Sequence, residues 1–289
     1  MTKGTCASCL DFNIDKVVKS KESLKPTWLQ QNDFVTNFVN NHDFKLKTPK
    51  NYELKVDINL GPKFASKKIL YWAANKNDNR SPIILDAKKA YGNFDNHGVV
   101  NANNKGEVTF KIDCPQVYKA KRTNRSVDTT YFRHLHFVVE KDKNKTWDSQ
   151  IYTKIVICKY HFKRFMHEYK DGFHVTINAL PAEYFAKDHV PHSFNLFHKN
   201  IKKMSISELN NWFYDVIRIH YPKLAKLVND KKINIYELPI ITYCAHSKCN
   251  ASELAIKELM KKGFVNLYEY SGGIQEYRKY IPHDNLNSS

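Results

Sequence analysis

Acidic residues are the minority charge in this chain: 29 Asp and Glu stand against 46 Lys and Arg in 289 residues, a formal charge of +17 with His neutral. Cysteine is sparse as well. The six present (Cys6, Cys9, Cys114, Cys158, Cys244 and Cys249) are too few for a disulfide scaffold. Such usage suits a reducing compartment, where a cysteine is structural, metal-binding or reactive. Nine glycines exclude a collagen-like repeat. No run approaches the ~20 apolar residues that span a bilayer, and Met1 to Cys9 lacks the apolar core of a signal peptide. A cytoplasmic protein, or one in a particle assembled in the cytoplasm, is expected. Also missing are a P-loop, a dinucleotide fingerprint and a Gly-x-Ser-x-Gly elbow, which disfavours nucleotide-dependent and α/β-hydrolase chemistry.

What is present is enough for real cores: 42% apolar residues, with 17 Tyr, 17 Phe and 4 Trp. The length suggests roughly two domains at about 100 to 200 residues each. The basic excess falls in short clusters, Lys119 to Arg122, Lys141 to Lys145, Lys199 to Lys203 and Lys261-Lys262, rather than one arm. Such a field draws nucleic acid weakly and without sequence preference, or an acidic protein partner. No zinc-finger, RNP-type or KH-type motif accompanies the clusters, and solvated surface charge from a Lys- and Asn-biased composition is the plainer account.

Three stretches with different patterning follow one another. Residues 1–43 are polar, without sustained period, and read as an amino-terminal tail with one short docked helix, outside any core. Residues 44–165 carry short β-rich runs (Tyr52 to Asn59, Ile69 to Ala73, Val108 to Ile112, His134 to Val139, Tyr152 to Cys158) between Gly-, Pro- and Asn-containing breaks, the pattern of an antiparallel β-sandwich. Residues 166–289 alternate strand and helix. Val175 to Asn178, Pro239 to Tyr243 and Val265 to Tyr268 read as strands. Helices are expected from Ser205, with Glu208 completing a capping box, to about Leu227, and from Ala251 to Lys262, closed by Gly263. Buried-type strands alternating with helices predict an α/β unit with a parallel sheet, so the fold class is α+β multidomain.

In the third stretch Cys244 ends a buried strand and opens the loop Ala245, His246, Ser247, Lys248, Cys249, Asn250 into the helix at Ala251. There the helix dipole and loop N–H groups stabilise a thiolate, the reactive form. This segment resembles the rhodanese family, sulfurtransferases in which the loop cysteine carries a persulfide. Gly263 to Leu267 followed by Gly272-Gly273-Ile274 resembles the family's strand and Gly-Gly turn, and Glu183 to Ser193 its acidic, aromatic lead-in segment. The resemblance spans about residues 172–281. It implies Cys244 as the sulfur-bearing nucleophile, Ala245 to Asn250 as its cradle, and no cofactor at this site. The loop is two residues longer than is common, the closing Arg has no counterpart ahead of Ser252, and Asn178 and Leu180 replace an Asp and an Arg. These departures weigh against binding of a thiosulfate-type anion and against the Cys-based phosphatase reading, since phosphate recognition favours a bidentate guanidinium. Cys249 is a packing residue or a partner for a Cys244 disulfide, given Cα atoms within ~7 Å.

In the second stretch the alternation of Tyr131 to Val139 puts His134 and His136 on one strand face and Leu135 and Phe137 on the other, a spacing at which two imidazoles can share a metal ion. Together with Tyr71 to Asn75, Asn104 to Phe110 and Cys114 to Tyr118, this run resembles the intradiol ring-cleavage dioxygenases, β-sandwich enzymes that hold ferric iron with two Tyr and a His-x-His pair. The resemblance implies Tyr118, His134 and His136 as three of four iron ligands. Where the first Tyr is expected the chain reads Asn77 to Arg80, and Arg133 abuts the pair rather than standing three residues ahead. Tyr91 completes the set only if residues 87–96 fold back over the mouth of the sandwich. Loss of that ligand predicts a colourless protein with substoichiometric iron. Cys6-Ala7-Ser8-Cys9 is half of a zinc knuckle with no second half.

Three functions compete: a sulfurtransferase fused to a non-catalytic dioxygenase-like sandwich; a basic, non-catalytic scaffold such as a virion component, for which the composition suits a large DNA virus; and a ring-cleaving dioxygenase. Sulfur donor, acceptor and oligomeric state stay open at this level.

Overall fold

The computed structural model describes residues 17–19, 34–49, 51–77, 81–121, 128–143 and 145–282. The chain forms two compact units, Met1–Val156 and Ile157–Ser289. Among the described residues no helix is long and apolar enough to cross a membrane.

The amino-terminal unit is built from antiparallel sheets. The largest orders β1 (Val18–Lys19), β10 (Tyr152–Ile155), β8 (His134–Asp142), β3 (Lys68–Ala73) and β4 (His97–Asn101), with β9 (Thr146–Trp147) also on β8. Two further pairs are β2 (Leu54–Asn59) with β5 (Glu107–Ile112) and β6 (Tyr118–Lys121) with β7 (Asp128–Tyr131). The expected continuous sandwich is thus divided into several separate sheets. Alternation decides which side of each strand is buried. Val108, Phe110 and Ile112 of β5 meet Ile69, Tyr71 and Ala73 of β3 and Leu135, Phe137 and Val139 of β8 in one apolar cluster. His134 and His136 therefore lie on the opposite face of β8, and that face is buried as well.

Part of the segment read as a tail is buried too, packed by Trp72 on the other face of β3. The helix Phe34–Asn40 buries Val35 and Val39, one turn apart. Phe38 stacks on Phe94 at 4.2 Å and meets Trp72 edge-on at 5.7 Å.

The carboxyl-terminal unit holds a five-stranded sheet in the order β11 (Cys158–Tyr160), β15 (Leu267–Tyr270), β14 (Ile240–Tyr243), β12 (Val175–Asn178), β13 (Phe194–Asn195). Every pairing is parallel. The stretch expected as one strand from Tyr152 to Cys158 is two: β10 stays in the antiparallel sheet, and β11 pairs with β15. The long helix expected through Leu227 is also two, Ile206–His220 and Pro222–Asn229. Pro222 cannot donate to the preceding turn but suits the first position of a new helix. The Ser205 and Glu208 capping box is formed on both sides, and the helix Ala251–Lys261 ends ahead of Gly263 at φ 98°.

From β12 the chain moves to one side of the sheet, to β13, and from β14 to the other, to β15. The carboxyl ends of β12 and β14 therefore border a topological switch point, where open α/β sheets bind ligands. Cys244 follows β14 directly. The final helix, Gly273–Tyr280, docks its first turn on the same loop: Ile274 N–H donates to the Cys244 carbonyl at 3.0 Å and Gln275 N–H to that of Ala245 at 2.9 Å.

Gly273 has φ 62°, and a Cβ there would stand 2.4 Å from the Cys244 carbonyl oxygen. Only glycine fits both the conformation and the approach. Gly273→Ala is expected to cost more than about 1 kcal/mol, read as a lower urea midpoint for the carboxyl-terminal unit. An unchanged midpoint would mean that the loop and helix separate without cost.

Candidate functional site

Cys244 sits at the floor of the loop, buried to 2% exposure. Its Sγ lies 3.3 Å from the Cys249 carbonyl, 3.9 Å from that of His246 and 3.4 Å from Ser252 Oγ. The Ser252 N–H, in the first turn of the helix Ala251–Lys261, also bonds to this sulfur. Of the other cradle residues, Ala245 and Cys249 are half-buried, while His246, Ser247, Lys248 and Asn250 are exposed. The His246 imidazole accepts from Lys248 N–H at 3.3 Å within the loop rather than facing the sulfur. Cys244 and Cys249 are both free thiols.

The expected resting thiolate is not what this environment favours. Burial pushes the Cys244 thiol up to about 11, the neighbouring Cys249 side chain adds to the rise, and the bonds from Ser252 oppose it. The magnitudes explain the outcome. A helix terminus contributes about 0.3 to 1 kcal/mol, less than one pKa unit, whereas burial shifts a group by up to several units.

Behind the sulfur runs a polar chain with no sequence signature of its own. Ser252 Oγ donates to Glu269 Oε1 at 2.6 Å, and Glu269 Oε2 lies 3.2 Å from Lys159 Nζ on the adjacent strand. Ser252 and Glu269 are buried, at 0% and 4% exposure. A carboxylate inside an otherwise apolar parallel strand is the signal that reading by motif passes over.

The lead-in segment is tied to the same end of the sheet. Tyr243 Oη accepts from Val190 N–H at 2.9 Å and donates to Ser193 Oγ at 2.7 Å, whose own hydroxyl donates to the Val190 carbonyl. Arg278 holds Asp188 through both Nε and Nη2, at 3.0 and 2.6 Å, and reaches the His189 carbonyl. Asn178, which replaces the family's Asp, is fully buried and accepts from Leu180 N–H at 2.9 Å. It shapes the turn after β12 and adds no charge.

In the amino-terminal unit the structure gathers all four sequence-proposed metal ligands. Asp86 caps the short helix Ala87–Tyr91 by accepting from Lys89 N–H, and Tyr91 at its end is buried. His134 Nε2 lies 3.0 Å from His136 Nε2, 3.0 Å from Tyr118 Oη and 3.5 Å from Tyr91 Oη. The fold-back required of residues 87–96 is therefore present. His134 Nδ1–H donates to the Phe132 carbonyl at 2.6 Å, which leaves Nε2 as a lone pair. His136 Nδ1 is held by Thr153 Oγ1 at 2.9 Å and by the Tyr152 backbone. Burial lowers His134 to about 4 and His136 well below its ordinary value, so both rings are neutral near pH 7.

Two neutral imidazoles aimed at one point, with two phenol oxygens beside them, fit a cation such as ferric iron. The second contacts of the rings would hold the ligands in place. Among the described residues no group of three or more His, Cys, Asp or Glu is gathered, so this donor set owes half its members to Tyr. Cys6 to Cys9 and Asp78 to Arg80, both weighed in the sequence, lie outside the described residues.

The family model for the Rhodanese-like domain matches residues 162–280. Similar solved structures include the BH2092 protein of Bacillus halodurans, at 19% identity over 43% of this chain and 72% of that one, with a TM-score of 0.30. The human single-domain sulfurtransferase TSTD1 has 10% identity over 42% and 95%, with a TM-score of 0.31. The single-domain sulfurtransferase RDL2 of Saccharomyces cerevisiae has 14% identity over 43% and 91%, with a TM-score of 0.30. No curated protein matches the chain. With Cys244 following the central strand and the Gly-Gly turn docked on its loop, residues 162–280 are a rhodanese-like domain.

Proposed function

We propose that the carboxyl-terminal unit is a sulfurtransferase in which Cys244 carries the transferred sulfur as a persulfide. The observation that carries this reading is the position of Cys244: it lies within the matched region, at the carboxyl end of β14, facing the amino end of the helix Ala251–Lys261. The Cys244 sulfur, once deprotonated, attacks the sulfane sulfur of a donor. The donor's S–S bond breaks and the donor leaves with the bonding pair. The new terminal sulfur takes the negative charge beside the helix amino end and the Ser252 N–H. An acceptor nucleophile then attacks that terminal sulfur, and Cys244 departs as thiolate. A rhodanese-like domain needs no cofactor for this. With no Arg closing the loop and the sulfur nearly covered, small persulfide donors suit the site better than a dianion such as thiosulfate.

Exposure to a low-molecular-weight persulfide should add the mass of one sulfur atom to the intact protein, located on the Cys244 peptide and absent in Cys244→Ser. No adduct on the wild type, or an equal adduct on Cys244→Ser, contradicts the reading.

A second reading, metal-dependent ring cleavage by the amino-terminal unit, is favoured by one observation, the approach of Tyr91 to the His pair. Ferric iron held there would supply Lewis acidity and one-electron chemistry. The chain's own part is to keep His134 and His136 neutral by burial, to fix their rings through Phe132 and Thr153, and to offer the Tyr91 and Tyr118 hydroxyls, burial holding Tyr91 protonated until a cation displaces its proton. With the fourth ligand in reach, this reading predicts a filled site, against the substoichiometric iron and colourless protein expected from sequence. Elemental analysis should give one iron per chain with a visible absorption band, both lost in His136→Ala. Trace iron and no band after expression in iron-supplemented medium would reduce the cluster to a structural one.

A further inference from the structure

A nucleophile whose proton is held as tightly as that of Cys244 needs a group to take it, and the loop offers none. His246 points away, Lys248 is exposed, and the nearest loop atoms are carbonyl oxygens. Ser252 is different. Its hydroxyl proton is committed to Glu269 Oε1 at 2.6 Å, so its oxygen is turned toward the Cys244 sulfur at 3.4 Å as an acceptor. The carboxylate polarises that oxygen, and hydrogen bonds to a charged acceptor are short and strong.

The geometry points to a proton relay: we propose that Glu269, acting through the Ser252 hydroxyl, accepts the Cys244 proton when the sulfur attacks. This inference rests on Cys244 being the nucleophile of the proposed sulfur transfer. At rest the thiol has the Cys249 carbonyl at 3.3 Å and Ser252 Oγ at 3.4 Å as acceptors; for the relay it turns to Ser252 Oγ, while Ser252 donates to Glu269. As the sulfur attacks, its proton passes to Ser252 Oγ while the Ser252 proton passes to Glu269 Oε1. The S–H bond and the Ser252 O–H bond break, and a new Ser252 O–H bond and a carboxyl O–H bond form. The proton shift alone moves no net charge into or out of the buried cluster; the electron pair freed from the S–H bond forms the new S–S bond, and the donor's leaving group departs with the pair of the bond that breaks.

Ser252 touches the reacting atom and is the catalytic residue of the pair; Glu269 is its positioning residue. Several charged groups face the cluster. Lys159 on β11 pairs with Glu269 Oε2 at 3.2 Å, and lies 3.9 Å from Glu253 in the first turn of the helix. Glu253 is paired in turn with Lys257 at 3.1 Å. On β14, Thr242 Oγ1 donates to the Ser252 carbonyl at 3.1 Å and fixes the hydroxyl's position. Within the loop, Cys249 is the other titratable neighbour of the sulfur. Lys159 is half exposed, which gives the carboxylate a route to exchange its proton with solvent.

The test follows reaction of the full chain with methyl methanethiosulfonate, a probe small enough for a covered thiol, across a range of pH. Modification of the Cys244 and Cys249 peptides is quantified separately by mass spectrometry. The relay predicts that wild-type Cys244 reacts at a rate independent of pH around neutrality, and faster only in the alkaline limb where the thiol ionises by itself. Glu269→Gln and Ser252→Ala should each lower the neutral plateau about 100-fold and leave the alkaline limb and the Cys249 rate in place, and Ser252→Thr should restore the plateau. If Glu269→Gln fails to fold, the two Ser252 variants decide the matter alone. An unchanged plateau in Ser252→Ala overturns the relay. So does an equal loss at neutral and alkaline pH, the mark of a merely structural role. The probe contains no transferable sulfane sulfur, so a protein that keeps the plateau but accepts no sulfur from a persulfide would sink the sulfurtransferase reading and leave the relay standing.

Discussion

Burial of the Cys244 sulfur at the end of a parallel strand is the constraint on which the carboxyl-terminal unit depends. Cys244 lies where the end of β14, its loop and the amino terminus of the helix Ala251–Lys261 meet, and neighbouring elements approach it closely. Gly273 has no side chain so that the last helix can contact the Cys244 carbonyl. Tyr243 sends its hydroxyl to Val190 and Ser193, anchoring the lead-in segment one residue before Cys244. Such close approach gives a covered site, and covering favours the protonated form of the thiol. Two opposed demands therefore meet at one atom: exclusion of water and formation of an anion. The Ser252 and Glu269 chain sits where such a conflict would be resolved.

The amino-terminal unit treats polar groups in the opposite way. His134 and His136 are buried among aromatic rings, with Tyr118, Tyr91 and Trp72 around them. Their cost of burial is limited because both rings stay neutral and their Nδ1 atoms are bonded. Here both Nε2 atoms face one point, beside two phenols.

Legibility followed sequence distance. The parallel strands, the capping box at Ser205 and the Cys244 loop are local features whose residues state their own roles. Val175–Asn178 could be read to the residue because its flanks, its length and its apolar run agree. Long-range features were hidden. Tyr91 lies 43 residues from His134, and no pattern says that its helix folds over the pair. Glu269 lies 17 residues from Ser252, and only strand register brings Lys159 opposite it. The thiolate expectation and the buried site differ for a physical reason: a helix terminus can be read from sequence, but the depth at which a side chain is buried cannot, and depth has the larger effect on a thiol. The helix expected to run through Pro222 erred differently, since a pattern of apolar spacing continued across a residue whose backbone could not.

The central claim is that sulfur passes through Cys244. Its most direct measurement loads the protein with isotopically labelled sulfane sulfur, removes the donor, adds cyanide as acceptor, and counts label on the Cys244 peptide and in thiocyanate. The account predicts that label leaves Cys244 in step with its appearance in thiocyanate, and that Cys244→Ser carries and delivers none. Label that bypasses Cys244, or that stays bound while thiocyanate forms, would contradict it.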